Sequence, residues 1–93
     1  MRVLLSEDAA KEYAKINEPT KSRVKRALSK LAKEPPEGDI KRLEGRDGYR
    51  VRFGGWRILF DIDREYMHED SERGAVFVYE ISTRGDVYKG AKK

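Results

Sequence analysis

Arg50, Arg52 and Arg57 flank the diglycine Gly54-Gly55 within the stretch Gly48 to Asp61, where they alternate with Tyr49, Val51, Phe53, Trp56, Ile58 and Phe60. Guanidinium forks bind phosphate oxygens bidentately and stay charged at every physiological pH. Two alternating runs joined by two glycines predict a β-hairpin, because glycine adopts the positive φ that tight primed turns require. With Gly54 and Gly55 in the turn, Phe53 opposes Trp56, Arg52 opposes Arg57, Val51 opposes Ile58 and Arg50 opposes Leu59. Side chains alternate across a strand, so the aromatic and aliphatic set forms one face and the three arginines the other. Opposed like charges cost roughly 0.2–1 kcal/mol per pair, so such a face calls for an anion. Two internal acids are candidates. Asp61 is diagonal to Arg50 in this register, and Glu80 shares the face if Phe77, Tyr79 and Ile81 point to the core. Two carboxylates do not satisfy three arginines plus Arg84.

Arg84 and Tyr88 follow a strand that should pair with the hairpin, and a turn at Gly85 brings both to the edge of the same face. Tyr88 is the proton-transfer group this arrangement offers. Its ordinary pKa is about 10, and neighbouring cations favour the phenolate, which suits a general base. The plainer reading of Tyr88 is a packed or stacking ring. The sequence holds no metal-ligand cluster, no Ser-His-Asp set and no phosphate-binding glycine loop, so neither a metal nor a cofactor is expected. RNA carries its own nucleophile in the 2′-hydroxyl, and cleaving it needs positioning, a base and charge stabilisation. His68, the single histidine, falls in a polar acidic stretch and reads as a surface residue.

A second group of cations lies between Thr20 and Lys33. Lys21, Arg23, Lys25, Arg26, Lys30 and Lys33 occur there with no acidic residue among them. They form either a docking surface for a phosphate backbone or a solvated helix face with a cationic last turn.

The elements that must position these groups follow from spacing. Arg2 to Leu5 is a first short strand, in or beside the sheet. Ser6 caps a first helix carrying Ala9, Tyr13 and Ile16 on one stripe, with Glu7 and Asp8 in its first turn. Pro19 fits the first position of a second helix, where Val24, Ala27, Leu28 and Leu31 recur at i, i+3, i+4 and i+7. Pro35-Pro36 ends it. Pro35 to Asp47 reads as a loop anchored by Leu43. After the hairpin, Arg64 to Gly74 reads as a polar loop, and Ala75 to Ser82 as a final interior strand. The order β-α-α-β-β-β predicts an α+β domain: an antiparallel sheet with a two-helix hairpin on one face and the arginines on the other.

Residues 1–93 are enough for one domain, with a net charge of +4 from 21 Lys+Arg and 17 Asp+Glu, a balance compatible with an anionic partner. There is no cysteine, charge enters at Glu7, and no stretch reaches transmembrane length, so a cytoplasmic protein with no membrane partner is expected.

The pattern Leu43-x-Gly45, Gly48-Tyr49-Arg50-Val51-Arg52-Phe53-Gly54-x-Trp56-Arg57-Ile58-Leu59-Phe60 and Ile81-x-x-Arg84-x-Asp86-Val87-Tyr88 resembles the RelE family of the RelE/ParE toxin superfamily, over nearly the whole chain. The resemblance implies a ribosome-dependent endoribonuclease that enters the A site, cuts bound mRNA and is silenced by a cognate antitoxin. It implies that Arg50 and Arg52 are the basic pair of the first hairpin strand, Arg57 the phosphate-binding arginine and Tyr88 the base. Arg84 then assists the leaving 5′-oxygen, as a charge stabiliser because a guanidinium is a poor proton donor. Departures are a long Arg64 to Gly74 segment, Thr83 where many relatives carry histidine, and Arg-Arg where some carry lysines. A ParE-like gyrase poison and a non-catalytic RNA-binding module are the alternatives.

Overall fold

A computed structural model describes residues 1–83, so Arg84 and Tyr88 lie outside the described residues. The elements in order are β1 (Arg2–Leu5), α1 (Glu7–Lys15), α2 (Thr20–Leu31), β2 (Asp39–Arg42), β3 (Tyr49–Phe53), β4 (Trp56–Met67) and β5 (Arg73–Thr83). The strands form one sheet in the order β1-β5-β4-β3-β2.

The hairpin register is the one the diglycine dictates: Phe53 opposes Trp56, Arg52 opposes Arg57, Val51 opposes Ile58 and Arg50 opposes Leu59. Gly54 takes a φ of +56°, the left-handed conformation that the tight turn demands. The apolar face of the hairpin then enters the core. Val51, Ile58 and Phe60 are buried with Val76, Val78 and Ile81 of β5, and Ala9, Val24 and Leu31 of the two helices close over them. Tyr49 stacks on Phe60 with ring centroids 5.6 Å apart.

Helix α1 starts where Ser6 accepts the Ala9 amide at 3.1 Å, while the Ser6 amide donates to the Val78 carbonyl at 2.8 Å and ties β1 to β5. Helix α2 begins at Thr20, with Pro19 at its cap instead of its first turn, and Glu18 accepts both the amide and the hydroxyl of Ser22. Those two hydrogen bonds, the hydroxyl's above all, hold the Glu18 carboxyl below its ordinary range.

Several features differ from the sequence expectation. The sheet is mixed, because β1 runs parallel to β5 after the helical crossover, whereas the remaining pairs are antiparallel. The segment expected as a loop from Pro35 to Asp47 contains an edge strand, β2, where Ile40 is the one apolar residue and pairs with Val51. The expected loop from Arg64 to Gly74 is mostly strand: β4 runs on to Met67 and β5 starts at Arg73, leaving a short turn. Within that turn His68 is buried, not surface-exposed. Its Nε2 pairs with the Gly74 carbonyl at 2.9 Å and its ring meets Tyr66 edge-on.

A β-bulge between Leu59 and Phe60 also changes the face assignment along β5. Leu59 opposes Glu80 but Phe60 opposes Val78, so Tyr79 is the extra residue and the alternation flips. Ile81 points to the core as expected. Val76 and Val78 take the places expected for Phe77 and Tyr79.

Candidate nucleic-acid interface

The face opposite the helices is built from β2, β3, β4 and β5. Cross-strand pairing places Arg52 against both Arg57 and Asp39, Arg50 against Lys41 and Leu59, and Leu59 against Glu80. Arg50, Arg52 and Arg57 therefore share one surface, as the alternation requires, and Lys41 of β2, opposite Arg50, adds a further cation. The Arg50 side chain is only 13% exposed and donates to the Asp39 carbonyl at 2.9 Å. Arg52 and Arg57 stand more open, at 39% and 36%.

Two acids partner this face. Asp39 lies 3.7 Å from Arg50 and 3.6 Å from Arg52, and Glu80 lies 3.2 Å from Arg57 while also accepting the Ser82 hydroxyl at 3.1 Å. Glu80 plays the neutralising role expected of it, placed on this face by alternation with the core residue Ile81, since the bulge begins only at Tyr79. Asp61 does not: the acid that reaches Arg50 is Asp39, which was missed because its strand was missed. Its own residues carry no strand pattern, since Asp39-Ile40-Lys41-Arg42 holds a single apolar residue. Arg57 keeps a buried Nε with no hydrogen-bond partner among the described residues. A donor of that kind costs free energy while unsatisfied.

The same face has an aromatic half. Arg46 lies over the Tyr79 ring at 5.4 Å, and Tyr66 meets Phe77 edge-on at 5.1 Å. Gly48 permits this packing, because at its φ of +116° an added Cβ would stand 2.7 Å from the Tyr79 hydroxyl and 3.0 Å from Asp61 Oδ1.

The six cations expected on α2 do not form one surface. Lys21 lies over the Tyr13 ring at 5.0 Å, and Lys33, beyond the end of the helix, pairs with Glu37 at 3.6 Å. Lys25 borders a groove on the β1 side. Arg23, Arg26 and Lys30 line a cleft of about 300 Å³ together with Arg52 and Asp39 of the sheet. Among the described residues no group of three or more His, Cys, Asp or Glu side chains could hold a metal ion.

Two helices on one face of a five-stranded mixed sheet match the RelE-like α+β fold. The chain resembles the toxin in the RelB-RelE antitoxin-toxin complex from Methanococcus jannaschii with a TM-score of 0.64 at 18% identity, covering 94% of this chain and 96% of that one. Its likeness to the toxin-antitoxin complex RelBE2 from Mycobacterium tuberculosis has a TM-score of 0.64 at 16% identity, covering 89% and 96%. A search of curated proteins by sequence found no match. The family model for the ParE toxin of the type II toxin-antitoxin system parDE matches residues 3–88. The chain belongs to this family and is a toxin of the RelE/ParE superfamily.

Proposed function

We propose that the chain is a ribosome-dependent endoribonuclease that cuts mRNA in the A site. The observation that supports this best is the gathering of Arg50, Arg52 and Arg57 on one sheet face with, among the described residues, only Asp39 and Glu80 paired to them. In this reading the three guanidinium groups hold the scissile phosphate, and the Arg57 Nε gains the acceptor it lacks. Tyr88 takes the proton of the 2′-hydroxyl, whose oxygen attacks the adjacent phosphorus as the bond to the 5′-oxygen breaks. Arg84 stabilises the charge on that leaving oxygen, which takes its proton from water. The work is positioning and charge stabilisation on a pre-formed sheet.

The cognate partner in this reading is an antitoxin with an acidic, partly apolar segment. The two solved structures described above are antitoxin-toxin complexes. Strands β1 and β2 are the sheet edges, and beside β1 runs a groove of about 480 Å³ whose apolar lining includes Val3, Leu5, Tyr13 and Leu28. The Lys and Arg residues of the α2 region meet RNA, of the message or of the ribosome.

Mapping mRNA 5′ ends in a translating extract tests the proposal. Cuts in the A-site codon that vanish with Arg57→Ala plus Tyr88→Phe are expected; no cuts, or cuts undiminished in that variant, contradict it. The match of a ParE toxin model favours a second reading, a gyrase poison on the same fold. Inhibition of gyrase supercoiling by the purified chain, with no mRNA cutting, would establish it.

A further inference from the structure

We infer that the cleft between α2 and the β2–β3 corner is a separate phosphate-binding site, which holds the backbone of the RNA strand as it leaves the arginine face. This inference rests on the RNA-cleaving reading above. The cleft encloses about 300 Å³ and is lined by Arg23, Arg26 and Lys30 of α2, by Arg52 and Phe53 of β3, and by Glu37 and Asp39.

Three observations carry it. First, Arg23, Arg26 and Lys30 make no ion pair among the described residues, whereas Lys21 and Lys33 are engaged with Tyr13 and Glu37. Residues at i, i+3 and i+7 form one helical row, here about 10 Å long. Second, the cleft is continuous with the cationic sheet face, because Arg52 and its partner Asp39 belong to both. A polyanion crossing β3 therefore passes from Arg57 and Arg52 to Arg26 without meeting a new acid other than Glu37, which Lys33 already holds. Third, the hairpin turn makes room for a guanidinium. An added Cβ on Gly54 would stand 3.0 Å from Arg23 Nη2, so the bare glycine lets Arg23 close one end of the cleft.

The chemistry of the lining favours a sugar-phosphate strand over an acidic peptide. Two guanidinium forks and an ammonium at the rim suit phosphate oxygens, while Ala27, Val51 and Phe53 give an apolar floor to a ribose or base.

Fluorescence anisotropy of the full chain with a labelled single-stranded 12-nucleotide RNA, titrated at several salt concentrations, tests the site. The Arg23→Ala/Arg26→Ala/Lys30→Ala variant is expected to bind about tenfold or more weakly at low salt, with the slope of log K against log salt reduced by about 2. The control Lys11→Ala/Lys15→Ala/Arg73→Ala removes the same charge elsewhere and should stay within about twofold. The charge-preserving variant Arg23→Lys/Arg26→Lys should keep the parent slope. Equal losses in the cleft and control variants overturn the inference, as does parent-like RNA binding by a cleft variant that loses affinity for a polyglutamate peptide. The two ideas fail separately. Cleft-dependent RNA binding without A-site cutting refutes the nuclease reading and leaves the cleft standing, while A-site cutting with cleft-independent RNA binding does the reverse.

Discussion

Asp39 faces Arg52 across the β2–β3 ladder, and its carboxylate also lies 3.7 Å from Arg50, so one exposed acid on an edge strand partners two of the three arginines. Asp39 is 57% exposed, and an ion pair in such a setting contributes little to stability. In the proposed RNA-cleaving reading its effect is electrostatic, because its carboxylate competes with a phosphate for Arg50 and Arg52.

Replacing that acid should therefore separate stability from binding. Asp39→Asn is expected to raise affinity for single-stranded RNA by a few-fold while changing the folding free energy by less than about 1 kcal/mol. Anisotropy titration and thermal denaturation check the two halves.

Gly48 predicts the opposite balance. Alanine there combines a strained φ of +116° with a Cβ 2.7 Å from the Tyr79 hydroxyl. Gly48→Ala should cost about 1–3 kcal/mol and lower Tm by roughly 5–20 °C. Differential scanning calorimetry reads this directly.

The hairpin's inner face carries the fold. Ile58 and Phe60 are fully buried between the helices and β5. Ile58→Ala should destabilise by about 2–5 kcal/mol and Phe60→Ala by about 3–5 kcal/mol, enough to unfold a domain of this size in part or entirely. Urea denaturation followed by circular dichroism measures both.

Acid should weaken the surface ties at the far end of the sheet. The Glu34 carboxyl titrates below its ordinary value because Arg64 hydrogen-bonds to it, and the Asp70 carboxyl does so because the Glu72 amide and then Arg2 donate to it. Both are depressed carboxyls, so their contribution is fully present above the unfolded value of about 4 and is lost as the pH falls through the lower folded values. Tm should fall between about pH 5 and pH 3, and Glu34→Gln/Asp70→Asn should flatten that fall. Thermal melts across this range check it.

The hairpin was legible because its signals agree: two alternating runs, a diglycine turn and opposed chemistry on the two faces. Val24 and Leu31 were legible as core for the same reason, through helical spacing. Strand β2 was not, since with Ile40 as its one apolar residue it forms by pairing with Tyr49 to Arg52 and not by its own pattern. The face assignment of Phe77 and Tyr79 failed because a bulge adds one residue to β5, and no residue type announces where that happens. His68 looked exposed among acids, yet the extended β4–β5 hairpin buries its ring against Tyr66 and the Gly74 carbonyl. The six cations near α2 read as one group, and only tertiary placement divides them.

In the proposed function the face holding Arg50, Arg52 and Arg57 cuts mRNA on the ribosome. Mapping mRNA 5′ ends in a translating extract measures it most directly. New ends within A-site codons are expected with the parent chain, falling by about 10²-fold or more with Arg57→Ala plus Tyr88→Phe. An unchanged map with the parent chain, or the same ends at the same level with the variant, would contradict it.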